Sequence, residues 1–468
     1  KLDQENSNYY SLRNTDSRSA AFYANATYSF NGKYVVNGTF RYEGSNQMGR
    51  TTKARWMPTW NVSGAWNVHE ESFFPKLKPL SSLTFRVSYS LTGTPPDASY
   101  CSALTKLSMN TLYRPTTSDK ELGFVVAALG NDELTYEKKH EFNFGVDAGF
   151  FNNRLNVTFD VYQRRNFDEI APAVHQLYGK AYANVGSMKS WGEELSISST
   201  NVKTNDFSWQ TSLIYSHNRT EITKLYNRGR VIDLVQGNGF AKQGYPARAL
   251  FSIPFVGINE KGYPVCINEK GQTTVGDLDF QERDNTDYLI YEGSTDPIYN
   301  GSLGNTFNYK GFHLNLFLTY AFGNVVRLDP VFKVKYNDLT SMTHDFKNRW
   351  MQPGDENVTN VPGVLSRYEY EQNHTLLATA YNAYNYTSVR TAKGDFIRLK
   401  EISLAYDFPH RWFENSPVNN ISLKLQATNL MLLYADKKLN GQDPEFMNAG
   451  GVASPMPKQF TLTLKLGL

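Results

Sequence analysis

The chain has 468 residues, 40% hydrophobic and 14% aromatic, with a mean hydropathy of −0.50. No apolar run of about 18 residues occurs, which excludes membrane-spanning helices, whereas a wall with one oily and one wet face has this composition and this length suits one large barrel. Lys+Arg 48 against Asp+Glu 45 leave a net charge of +3 without a basic block, so nucleic acid is not an expected partner.

Residues 1–16 are polar and hold no basic stretch followed by an apolar one, so no secretion signal is read there. From residue 22 onward the pattern has period two. The first strands are expected at 22–30, 34–42 and 54–68. At 83–91, Leu83, Phe85, Val87, Tyr89 and Leu91 alternate with Thr84, Arg86, Ser88 and Ser90. At 142–150, Phe142, Phe144, Val146, Ala148 and Phe150 interleave with Asn143, Gly145, Asp147 and Gly149. Further copies lie at 155–161, 191–199, 207–217, 301–309, 312–320, 396–408, 421–433 and 460–468, thirteen strands in all, and a slip of phase near Glu401 suggests a β-bulge.

Each is near the roughly 9–11 residues that a tilted strand needs to cross a bilayer. Aromatic residues gather near strand ends (Tyr28 and Phe30, Phe150 and Phe151, Trp209, Tyr406 and Phe408), as an interface girdle requires. Asn31-Gly32, Asn152-Asn153 and Tyr309-Lys310-Gly311 read as tight turns, and between them stand long connections at 92–136, 165–186, 225–300, 324–394 and 435–457. Short turns on one rim and long loops on the other define an outer-membrane barrel, with periplasm below and exterior above. Single-chain bacterial barrels have an even number of strands, so thirteen implies that earlier strands lie on another polypeptide or were cut away.

The span 22–74 contains Arg41-Tyr42-Glu43-Gly44-Ser45 and Trp66-Asn67-Val68-His69-Glu70-Glu71-Ser72-Phe73. It resembles the SusC/RagA family of TonB-dependent transporters. In the same order follow Pro297-Ile298-Tyr299-Asn300-Gly301, Asn305-Thr306-Phe307, Tyr309-Lys310-Gly311-Phe312, Arg349-Trp350, Gly394-Asp395-Phe396-Ile397-Arg398-Leu399-Lys400, Asn429-Leu430 and Asp443-Pro444-Glu445, all similar to landmarks of that family. The resemblance implies the C-terminal part, about thirteen strands, of an all-β antiparallel transmembrane barrel of about 22 strands. It implies a bacterial outer-membrane location and TonB-dependent import of oligosaccharides or oligopeptides. The expected partners are a SusD-like surface lipoprotein as lid, TonB acting through the N-terminal region, the plug with the remaining strands, and membrane lipid. The plug and the TonB box have no counterpart in this sequence.

Enzymatic chemistry is not expected. The eight histidines are scattered without an H-x-x-x-H pair, two distant cysteines do not close a zinc site, and neither a G-x-S-x-G elbow nor a P-loop appears. The pairs Asp277 and Asp279, and Glu282 and Asp284, read as acidic loop solvation ahead of glycoside hydrolysis or calcium binding. No catalytic residue, metal ligand or cofactor is therefore assigned. Tyr368, Tyr370, Tyr381, Tyr384 and Tyr386 are the candidate substrate contacts, since their flat faces suit sugar rings or peptide side chains. Arg398 and Lys400 read as solvated lumen charges, and Asp443-Pro444-Glu445 as a loop turn. Cys101 and Cys266 fall in long loops, where a disulfide and two separate thiols are both open. The other readings are a passive porin, a soluble β-rich glycan-binding protein and a β-sandwich glycoside hydrolase.

Overall fold

The computed structural model describes residues 16–74, 79–95, 105–113, 120–175, 179–331, 342–414, 417–448, 451–452 and 457–467. One antiparallel sheet of thirteen strands organises them. The strands are β1 (Ser19–Phe30), β2 (Tyr34–Ser45), β3 (Trp56–Asn67), β4 (Leu80–Thr94), β5 (Glu137–Phe150), β6 (Leu155–His175) and β7 (Gly179–Lys203). They continue with β8 (Phe207–Lys224), β9 (Tyr299–Tyr309), β10 (Phe312–Phe322), β11 (Phe396–Asp407), β12 (Asn420–Ala435) and β13 (Gln459–Gly467). Each pairs with its neighbours in sequence, so β1 and β13 are the edges among the described residues. All thirteen expected strands are present.

The register shows why the alternation is so regular. Leu462 lies opposite Leu425, Leu425 opposite Leu404, Leu404 opposite Leu314, Leu314 opposite Phe307, and Phe307 opposite Trp209. The same face continues through Val161, Phe144 and Val87 on β6, β5 and β4. On β10 it runs from Phe312 to Phe322, a height of about 25 Å for strands tilted near 40°. The opposite face carries Ser63, Ser88, Asn143 and Tyr162 in one row. There Arg86 bonds Asp147 at 2.6 Å and Asp160 at 3.1 Å. A side chain at Gly145 would meet both Asp160 and Arg86, so the glycine leaves the room in which this ion triad forms.

Aromatic rows mark both margins of the apolar band. Trp60, Tyr89, His140 and Phe167 follow one another at 5.5, 5.6 and 5.3 Å on the long-loop side. Tyr34, Trp66 and Phe85 follow at 6.4 and 6.0 Å on the short-turn side. Asn31 and Gly32 have φ of 51° and 71°, and Lys310 and Gly311 of 45° and 87°, the paired left-handed conformations of tight hairpins. The register slips between Leu399 and Glu401, where the bulge was expected.

Four connections differ from expectation. Most of 165–186 is strand, because β6 and β7 stay paired to His175 and Gly179 through an irregularity of register around Glu169. Above the bilayer both faces of a strand are wet, so the alternation that announces a strand lapses there while its hydrogen bonds continue. Within 92–136 a further hairpin, Lys106–Tyr113 with Lys120–Ala128, is present. The connections 225–300 and 324–394 are folded rather than irregular.

Candidate functional site

The connections after β8 and β10 build one module above the sheet. The first supplies a helical turn (Val231–Val235), a hairpin of Ala249–Ser252 with Ile290–Ser294, and a small sheet of Phe255–Ile258, Pro264–Ile267 and Thr273–Thr274. The second supplies the helices Arg367–Gln372 and His374–Tyr384. In the latter, Leu377, Ala380, Tyr381 and Tyr384 recur at helical spacing and are buried, so one stripe faces the module. Ser366 starts the shorter helix as an N-cap, accepting from the Glu369 amide while Glu369 bonds back to Ser366. The two connections share a core: Val231, Leu234, Val235, Phe251, Ile253 and Cys266 from the first enclose Ala383 from the second.

Two buried arginines tie the module down, and a third, Arg398, holds the last long connection. Arg327 is 5% exposed, and its guanidinium donates to the carbonyls of Thr387 at 2.8 Å, Val235 at 3.1 Å and Phe251 at 2.7 Å. Burial pushes its pKa down to about 10, which leaves it charged at neutral pH. Arg390 bonds the Asp345 carboxylate at 2.8 Å and the Asp329 carbonyl at 2.6 Å. Arg398 bonds Asp443 at 2.6 Å and Glu445 at 3.1 Å.

Arg398 thereby corrects the sequence reading. It is 5% exposed, not solvated in the lumen, because the last long connection folds back onto it. Asp443 caps the short 3-10 helix Pro444–Phe446 and so presents its carboxylate to the arginine. The signal that sequence reasoning missed was an arginine inside apolar runs: Val325-Val326-Arg327-Leu328 and Phe396-Ile397-Arg398-Leu399 place a charge where only a partnered charge is stable.

The five candidate tyrosines separate by burial. Tyr381 and Tyr384 are 0% and 1% exposed, so their faces are spent on the module's interior, and Tyr381 donates its hydroxyl to the Gly363 carbonyl at 2.7 Å. Desolvation pushes the Tyr384 phenol up to about 12. That burial removes both from the candidate ligand contacts. Tyr386 is half-buried with its ring 6.1 Å from Phe280, and Tyr370 packs edge-on against His374 at 4.5 Å. Tyr368 is 73% exposed, in a stretch that also presents Val358 and Val364 to solvent.

The acidic loop residues have structural duties. The Glu282 carboxylate accepts from the backbone amides of Arg283, Asp284 and Asn285. Asp279 accepts from the Gln281 amide at 2.8 Å, and Asp284 meets Arg228 at 3.2 Å. Among the described residues no group of three or more His, Cys, Asp and Glu side chains is placed to hold a metal ion. Cys266 is a buried free thiol whose pKa desolvation raises to about 12, and Cys101 lies outside the described residues.

With the outward band, the polar inner face and the mouth module in view, the comparison with known proteins is decisive. The family model described as "TonB dependent receptor-like, beta-barrel" matches residues 2–329, more than half of the chain. The chain belongs to this family. Its wall is therefore that of an outer-membrane β-barrel, and the family consists of transporters, not enzymes. TonB-dependent receptor SusC of Bacteroides thetaiotaomicron is 25% identical over 478 residues, covering 98% of this chain and 44% of its own length. TonB-dependent receptor P3 of Formosa agariphila is 25% identical over 447 residues, covering 90% and 41%. The RagAB peptide transporter structure superposes with a TM-score of 0.76 at 24% identity, covering 96% of this chain and 48% of the matched one. The chain thus spans less than half the length of the relatives it matches, and the shared fold includes the thirteen-stranded wall.

Proposed function

We propose that the protein carrying this wall imports oligosaccharides or oligopeptides actively across the outer membrane, energised through TonB, with a SusD-like lipoprotein closing over the loop module as a lid. The family match carries this reading. Relatives named SusC and RagAB support it, the latter described as a peptide transporter. The module supports it physically: a lid needs a landing surface whose shape does not change at each cycle. Two connections sharing one core and held by Arg327 supply such rigidity. The polar inner wall fits a lumen filled by a plug supplied from elsewhere in the protein.

On this reading Tyr368, the most exposed of the five, is the first aromatic contact offered to substrate, with the partly exposed Tyr370 and Tyr386 as further candidates. The soluble glycan-binding and β-sandwich hydrolase readings lose their footing with the 25 Å outward apolar band. A passive porin is separated by experiment. Uptake of labelled oligomers by cells expressing the protein is expected to stop when the TonB system is inactivated, and uptake that persists would establish passive flow instead. Co-purification of a surface lipoprotein with the barrel tests the lid.

A further inference from the structure

The outward surface of β5 to β8 carries cations that outnumber their acidic partners, one of which, Arg219, also lies near Tyr291 of the loop module. The register sets His140 opposite Arg165, Arg165 opposite Lys189, Lys189 opposite Glu221, and Trp191 opposite Arg219. Arg165 follows Leu155, Val157, Phe159, Val161 and Gln163 at steps of two, so this row points away from the lumen. Cations directly opposite one another on a sheet repel, and a strand pair does not adopt Arg165 against Lys189 for its own stability.

Neighbouring acids neutralise only part of the row. Lys189 meets Glu221 at 2.9 Å, and Lys138, one position further up β5, meets Asp168 at 2.6 Å. Glu193 is engaged by Tyr215 and His217. Among the described residues, the exposed guanidinium of Arg165 has no acidic partner, and Arg219 has the Trp191 ring at 5.8 Å in place of a carboxylate. Lys189 lies 5.7 Å from the same ring, so Trp191 holds two cations beside each other.

Height decides what these cations meet. Arg165 is level with His140 in the upper aromatic row and stands about 10 Å above Val161, where the outward apolar run on β6 ends. Headgroups occupy that level, and the wall below it, through Val161, Leu195, Phe159 and Ile197, is apolar enough for acyl chains. Guanidinium groups match phosphate oxygens in forked geometry. We propose that the outward cluster of Arg165 and Lys189 in one row and Arg219 one step below them binds the phosphate of an outer-leaflet glycolipid headgroup, with its acyl chains laid on the wall beneath. The site would fix the barrel's depth and its annular lipid.

The test uses the membrane-extracted protein in phosphatidylcholine nanodiscs, titrated with a monophosphorylated glycolipid and, separately, with its dephosphorylated form and inorganic phosphate. The wild-type protein is expected to bind the phosphorylated lipid. The double variant R165Q/R219Q is expected to bind it roughly 30-fold more weakly at unchanged heat-modifiable gel mobility, the loss appropriate to two interfacial cations. R165K is expected to fall between wild type and the double variant, keeping the charge but losing the fork. Equal affinity of wild type and double variant overturns the proposal, as does equal binding of the dephosphorylated lipid. Displacement by inorganic phosphate at matching concentration also overturns it, since the site would then be a free-anion site.

Discussion

Replacing Arg327 by Ala gives the sharpest mechanical test of the mouth module. The substitution strands the carbonyls of Val235, Phe251 and Thr387 in a buried place, at about 1–3 kcal/mol each. Against this, the native state no longer buries a guanidinium. The drop of that group's pKa from 12.5 to about 10 corresponds to roughly 3 kcal/mol at about 1.4 kcal/mol per unit. The balance is a loss of about 3 kcal/mol, a rise of roughly a hundredfold in the fraction of modules that are open. Because the module has its own core, the loss should be local. Hydrogen exchange should accelerate at the amides of Phe251, Ile253 and Thr387, while those of β9 and β10 keep their protection. Arg327→Lys should fall between, since a single nitrogen does not reach carbonyls that the guanidinium meets from two. Unchanged exchange at Ile253 in the Ala variant would show that the arginine is not the tie.

Arg398→Ala should free the last long connection by removing the partner of Asp443 and Glu445, seen as new protease cleavage within 436–448 while the barrel stays folded. Tyr381→Ala should cost about 3–5 kcal/mol of module stability by opening a cavity, whereas Tyr368→Ala should leave stability within about 0.5 kcal/mol and weaken substrate binding, read by melting and titration side by side. Cys266, with its thiol pKa raised to about 12, should stay unreactive towards maleimide at pH 8 in the native protein and react on unfolding; fast native labelling would show that the core around it opens.

How far the sequence could be read followed the physics of each region. β1 to β13 were legible because lipid and lumen impose opposite polarity on successive residues for the whole height of the band. The upper parts of β6 and β7 were not, since Ile170 and its partner Asn184 stand beyond the upper aromatic row, where water lies on both sides. The helix His374–Tyr384 was hidden in a stretch rich in Asn, Thr and Tyr, and its buried stripe acquires meaning only against a surface contributed from well over a hundred residues earlier. Of the five candidate tyrosines, sequence could rank none. Type and spacing do not tell Tyr368, which points to solvent, from Tyr381, which fills the core. Arg398 and Asp443 sat far apart as separate motifs, and only the fold shows that they are one contact.

The central claim is that this wall has lipid on one side and an aqueous interior on the other. Single cysteines introduced along β10, carrying nitroxide labels in bilayers, test it most directly through collision with oxygen and with a water-soluble nickel chelate. Labels at Leu314, Leu316 and Leu318 are predicted to favour oxygen, and those at His313, Asn315 and Thr319 the chelate, in strict alternation. Equal accessibility on both sets, or labels at the leucines quenched by the chelate, would contradict the account.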